Sequence, residues 1–122
     1  MNNNTGISTD IAVNIEGTST STLNKDGLGE VVVSGNQSNY LGQTNVNKGT
    51  LTYSAASSTD KFFGGKVNVG TSSILNINDN GKTDLIANGL TSTDKTAIIN
   101  KSGSKILTLN GQNAGYTGVR HS

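Results

Sequence analysis

The sequence predicts an all-β chain wound as a β-solenoid of about five coils, a single unit across residues 1–122. Three observations carry this. Apolar residues fall in short alternating runs of Val, Ile and Leu, the pattern of strands with one buried and one wet face. Between the runs lie Gly, Asn, Asp, Ser and Thr, which supply positive φ angles or side-chain-stabilised turns. Finally, Leu23-Asn24-Lys25-Asp26-Gly27 through Ser34-Gly35 to Tyr40-Leu41-Gly42 returns as Ile99-Asn100-Lys101-Ser102-Gly103 through Asn110-Gly111 to Tyr116-Thr117-Gly118, each matched pair 76 positions apart. A repeat that keeps glycine positions and strand phase keeps backbone geometry, which points to stacked coils.

In chain order, the strand candidates are residues 11–15, 30–33, 44–46, 50–53, 66–69, 74–77, 84–87, 97–100 and 106–109. In the first, Ile11, Val13 and Ile15 share a face that Asn14 does not. No stretch carries a 3.6-residue apolar period long enough for a helix. A β-sandwich would join such strands by hairpins around one shared core. A solenoid joins them in coils of about 20–30 residues that touch only their neighbours. The offset of 76 divides into three coils of about 25 residues, which favours the solenoid. Two smaller echoes agree: Ser58-Thr59-Asp60-Lys61 with Ser92-Thr93-Asp94-Lys95, and Val46-Asn47-Lys48-Gly49 with Val67-Asn68-Val69-Gly70. Stacked Asn and Thr positions are expected to form hydrogen-bonded ladders along the axis.

Composition narrows the function. Only 31% of residues are hydrophobic and 14% charged, while Asn, Gly, Ser and Thr make up about half. That is lean for a packed domain, but proline is absent and net charge is +1, unlike a disordered chain. A net charge of +1, with basic residues spread singly, gives no reason to expect nucleic acid. No apolar run approaches the roughly 20 residues of a spanning helix, so no direct membrane insertion is expected. Without cysteine there is no disulfide framework or thiolate metal site. Met1-Asn2-Asn3-Asn4 lacks the basic and apolar regions of a signal peptide. An exported parent is therefore expected to be longer than this chain.

The stretch from Leu23 to Leu51 resembles the passenger-associated repeat of bacterial type V autotransporters. It has the lysine (Lys25), the spaced glycine pair (Gly27, Gly29), alternating aliphatics, Ser34-Gly35-Asn36, then Tyr40-Leu41-Gly42 and the later Gly49-Thr50-Leu51. A second copy, residues 99–118, keeps the opening and Gly115-Tyr116-Thr117-Gly118 but carries Lys105 in place of the second glycine. The resemblance covers about 50 residues. It implies a right-handed parallel β-helix within a passenger exposed at the bacterial cell surface or secreted, reached through a separate β-barrel. It also implies a structural or adhesive role, with a host or bacterial cell-surface protein, a glycan or further copies of the chain as partner. End-to-end homo-oligomers are expected from unpaired coil edges, and residues 119–122 are expected as a disordered tail.

Gly27, Gly35, Gly42, Gly49, Gly103, Gly111 and Gly118 are expected at corners that a side chain would obstruct. No catalytic set, cofactor or metal site is predicted. One alternative is a purely structural spacer or folding-assist segment; the other, a polysaccharide-processing enzyme on such a scaffold, needs two carboxylates about 5–10 Å apart. Asp79 and Asp84 are the nearest candidates, and both read as solvated turn residues. His121, the lone histidine, sits in the expected tail. Asn76-Ile77-Asn78-Asp79-Asn80-Gly81 imitates the start of a calcium loop, but Ala87 stands where the closing glutamate belongs, so a polar turn is the expectation. Phe62-Phe63 and the repeat-related Tyr40 and Tyr116 are the candidate contact residues, with stacking at solenoid corners as their commoner role.

Overall fold

In the computed structural model the described residues are 8–11, 15–110 and 119–121, with the first and last of these segments described as backbone alone. They contain strands and no helix. The strands are β1 (Ser8–Ile11), β2 (Thr22–Lys25), β3 (Glu30–Val33), β4 (Gln43–Val46), β5 (Thr50–Ser54), β6 (Val67–Val69), β7 (Ile74–Asn78), β8 (Leu85–Asn88), β9 (Leu90–Ser92), β10 (Ile98–Ser102), β11 (Leu107–Asn110) and β12 (Val119–His121). All pairing is parallel. The first face is six strands in the order β1-β3-β5-β7-β10-β12, the second is β2-β4-β6-β9, and the third is β8-β11. The chain is thus a right-handed parallel β-solenoid, the hand that parallel crossovers take.

Successive rungs of the first face pair Ser8 with Glu30, Glu30 with Thr50, Thr50 with Ile74, Ile74 with Ile98 and Ile98 with Val119, so each coil takes 20 to 24 residues. Four coils follow one another, β2-β3, β4-β5, β6-β7-β8 and β9-β10-β11, with β1 and β12 as outer rungs; the last two of the four carry a strand on the third face. Four is fewer than the five predicted. Val119–His121, expected as tail, instead pairs with β10. The expected strand at 11–15 is displaced, because β1 covers Ser8–Ile11 and Ile15 lies outside any strand.

The 76-residue offset is not a whole number of coils. Lys25 stacks under Val46, Val69 and Ser92 on the second face. Three coils on from Lys25 is therefore Ser92, and Lys101 comes later still, on the first face in β10. The sequence repeat moves on by one face as well as three coils. What it repeats is a corner.

Alternation decides what fills the interior. On the first face Val31, Leu51, Leu75 and Ile99 stack inward, as do Val33, Tyr53 and Ile77, all buried. On the second face Val46 and Val69 do the same. The outward columns form the expected ladders. Asn45 Nδ2 donates to Asn24 Oδ1 at 2.9 Å, Asn76 Nδ2 to Thr52 Oγ1 at 3.2 Å, and Asn100 Nδ2 to Asn76 Oδ1 at 2.9 Å. Coil-to-coil side-chain bonds of this kind add to the backbone ladders at about 0.2–1 kcal/mol each.

Candidate functional site

Two lysines stand in inward columns next to an aliphatic residue of the neighbouring coil. Lys25 ends β2 beneath Val46, and Lys101, next to last in β10, pairs with Ile77. A buried ammonium must replace its water with acceptors. Lys25 Nζ donates to the carbonyl oxygens of Gly27 (2.7 Å), Asp26 (3.0 Å) and Lys48 (3.1 Å). Lys101 Nζ donates to Gly103 O (2.9 Å) and Lys105 O (2.5 Å) and pairs with Asp79 at 2.6 Å. Each lysine gathers the carbonyls of the corner that follows it. Gly27 and Gly103, two residues after the lysines, have φ of 84° and 96°, which turns those carbonyls inward.

The other predicted corner glycines divide by cause. Gly35 and Gly49 also hold positive φ, 91° and 68°. Gly42 does not; there a Cβ would run into the Ser21 carbonyl of the preceding coil, so close approach is what demands glycine. Gly111 and Gly118 lie outside the described residues.

Asp79 is not the solvated turn residue expected from its setting. It is fully buried, and its carboxylate accepts from Gly81 N (2.7 Å) and Lys105 N (3.0 Å) besides Lys101. Burial pushes its pKa up, but the Lys101 ammonium and the two backbone donors outweigh this and hold it below the ordinary carboxylate value. Asp84 is exposed and accepts from Ile106 N at 3.0 Å. The two carboxylates therefore have separate tasks. The calcium-like stretch is likewise committed to the turn: Asn78 Oδ1 accepts from Asn80 N, and Asn80 Nδ2 donates to Ser54 Oγ and Ala55 O.

The aromatic candidates turn inward. Tyr40, Phe62 and Phe63 are 3%, 2% and 0% exposed, so they are not surface contacts. Residues 62–64 leave strand geometry, which lets both phenylalanines face the core. Their rings pack edge to face at 5.2 Å, with Tyr53 5.4 Å from Phe62 and Tyr40 6.3 Å from Phe63. Tyr116 lies outside the described residues.

The surface feature of interest is on the third face. β8 pairs with β11 on one side. On the other, Asn88 Nδ2 reaches back to Gly64 O of coil two at 3.2 Å, and no strand ladder joins β8 to that coil among the described residues. At Gly64-Gly65 coil two lies close against coil one, where a Cβ at either would strike backbone. Here lies a groove of about 300 Å³ whose lining includes the exposed aliphatics Leu41 and Ile86, the buried Phe62, Gly64, the charged Lys61 and Asp84, and the amides Asn88 and Asn110. A second depression of about 380 Å³ shares Leu41, Gly64 and Asn88 and extends it past Gln43 and Lys66 to Ser19. Leu41 and Ile86 are 54% and 50% exposed. Sequence reasoning missed this groove, although outward aliphatics at Leu41, Ile86 and Ile106 interrupt an otherwise polar exterior.

No protein-family model, no curated protein and no solved structure matches the chain.

Proposed function

We propose that the chain is a non-catalytic structural and adhesive segment of a bacterial autotransporter-type passenger, exposed at the cell surface or secreted. The observation that carries this reading is the third-face groove, which crosses all four coils of a rigid stack from Ser19 to Asn110. A surface assembled from successive coils offers contacts along its length, the usual use of solenoid scaffolds. Interior aliphatics and exterior Asn and Thr ladders support the same role, since they keep the stack stiff with little net charge. Asp79, tied to Lys101 beneath the surface, is unavailable for a hydrolytic pair with Asp84. Display of the chain on a non-adherent bacterium tests the proposal. Adhesion should rise to host or bacterial surfaces, and Leu41→Ser with Ile86→Ser should reduce it while display is maintained. Adhesion equal to that of cells displaying an unrelated solenoid would remove the adhesive reading.

A further inference from the structure

We propose that the third-face groove binds a carboxylate-bearing oligosaccharide; this rests on the adhesive reading and names the partner of the same site. The groove spans three coil steps, about 14 Å at about 4.8 Å per step, which suits a short chain laid along the axis. Its lining is mixed in the way a sugar chain is mixed. Leu41 and Ile86 present aliphatic surface for C–H faces, and Asn110 offers an amide to hydroxyls. Asn88 and Gln43, each with one N–H given to Gly64 O or Asn45 Oδ1, keep a second N–H and the amide oxygen.

Charge gives the sign of the partner. Lys61 and Lys66 line the two depressions, and neither ammonium has a hydrogen-bond or ion-pair partner among the described residues. The carboxylate in the lining, Asp84, already accepts from Ile106 N. Asp84 keeps its negative charge, so Lys61 and Lys66 leave the lining one positive charge in excess for an anionic group. An acidic peptide satisfies that charge but fits the backbone poorly. A peptide docking by strand addition needs a vacant rung beside β8, and Asn88 bonded to Gly64 O puts coil two in that place. Recognition is left to side chains, which matches a glycan.

The test is titration of the full 122-residue chain with tri-galacturonate, the neutral galactose trimer and hexaglutamate, read by NMR of the Asn88 and Asn110 side-chain amides. Tri-galacturonate should bind, shift both amides, and weaken as salt rises. The neutral trimer should bind at least threefold more weakly. Lys61→Gln with Lys66→Gln should lower affinity about three- to tenfold, because two exposed ion pairs are lost, while Tm stays unchanged. Ile86→Asn tests the aliphatic wall independently and should also weaken binding. Hexaglutamate binding as tightly, or wild-type affinity in the double lysine variant, overturns the assignment. No tri-galacturonate binding at millimolar concentration overturns it too; if displayed cells still adhere, the adhesive reading stands without it, and if they do not, both fall.

Discussion

The corners at Lys25 and Lys101 use the same three-residue device, lysine, any residue, glycine, and satisfy it differently. At Lys25 a fully buried ammonium rests on three carbonyl oxygens, with no carboxylate within ion-pair reach among the described residues. Burial lowers its pKa, and the charge of Asp26 offsets only part of that. At Lys101 the ammonium is partly open to solvent, its side chain 10% exposed, and meets the fully buried carboxylate of Asp79. One corner thus holds a lone cation on dipoles, the other an ion pair. The lysine-glycine spacing fixes a shape, and the coil below decides whether a counter-charge is present. Losing the lysine should therefore have unequal consequences.

The largest effect is expected at Lys101. Lys101→Met strands Asp79 as a buried charge, at a cost of about 3–5 kcal/mol, or a Tm lower by about 10–20 °C. Adding Asp79→Asn should recover part of that loss, since it removes the stranded charge, although the amide keeps an oxygen for only one of Gly81 N and Lys105 N, which bond different carboxylate oxygens. A double variant no more stable than the single would locate the cost elsewhere. Lys25→Met should cost less, about 1–3 kcal/mol, because it leaves carbonyls rather than a charge without a partner. Urea denaturation of both single variants checks the order.

The comparison extends to pH. Asp79 has a folded pKa below its unfolded value, so its stabilisation is present above about pH 3.9 and is lost as pH falls through the folded pKa. Asp60 behaves likewise: burial raises its pKa, but donors from Ala56 N, Ser57 Oγ, Gly35 N and Ser57 N bring it below the ordinary value. Lys25 has the opposite consequence at the other end. Its folded pKa lies below 10.5, so the folded state binds fewer protons and its contribution rises as pH climbs through that value. Urea midpoints should fall from pH 5 to pH 2, less steeply in the Lys101→Met/Asp79→Asn variant. Between pH 8 and 10 the wild type should gain stability relative to Lys25→Met. Parallel profiles in both ranges would rule out these groups as the source.

How much of this was legible depended on whether inward positions carried aliphatics. β3, β5, β7 and β10 could be read because Val31, Val33, Leu51, Leu75, Ile77 and Ile99 mark the buried face. β2 and β9 could not, because the last inward residues are Lys25 and Ser92, which look like surface residues until the stack buries them. The repeat was visible, but a corner motif that jumps faces looks in sequence like a whole number of coils. Phe62 and Phe63 were candidate contacts because aromatics are enriched at interfaces; they have instead their commoner role, stacked inside the solenoid. The groove is lined by residues of successive coils, among them Leu41, Phe62, Ile86 and Asn110, a relation between distant residues that no local pattern records.

One buried polar group has no equivalent of either lysine's solution. Thr44 lies inward on β4, stacked over Leu23 and under Val67, and its hydroxyl is fully buried without a hydrogen-bond partner. Lys25, two residues beyond Leu23 on the neighbouring strand, reaches the corner carbonyls because its side chain is long enough to arrive there. A threonine hydroxyl at mid-strand is held among aliphatics, where the backbone groups already serve the ladder. Replacing that hydroxyl with a methyl removes an unpaid desolvation and keeps the β-branched shape that a strand favours. Thr44→Val should therefore stabilise the chain by about 1 kcal/mol, seen as a higher urea midpoint at unchanged m-value. A loss of stability would mean that the hydroxyl is satisfied in solution, and that all three inward polar residues on this face follow the rule Lys25 shows.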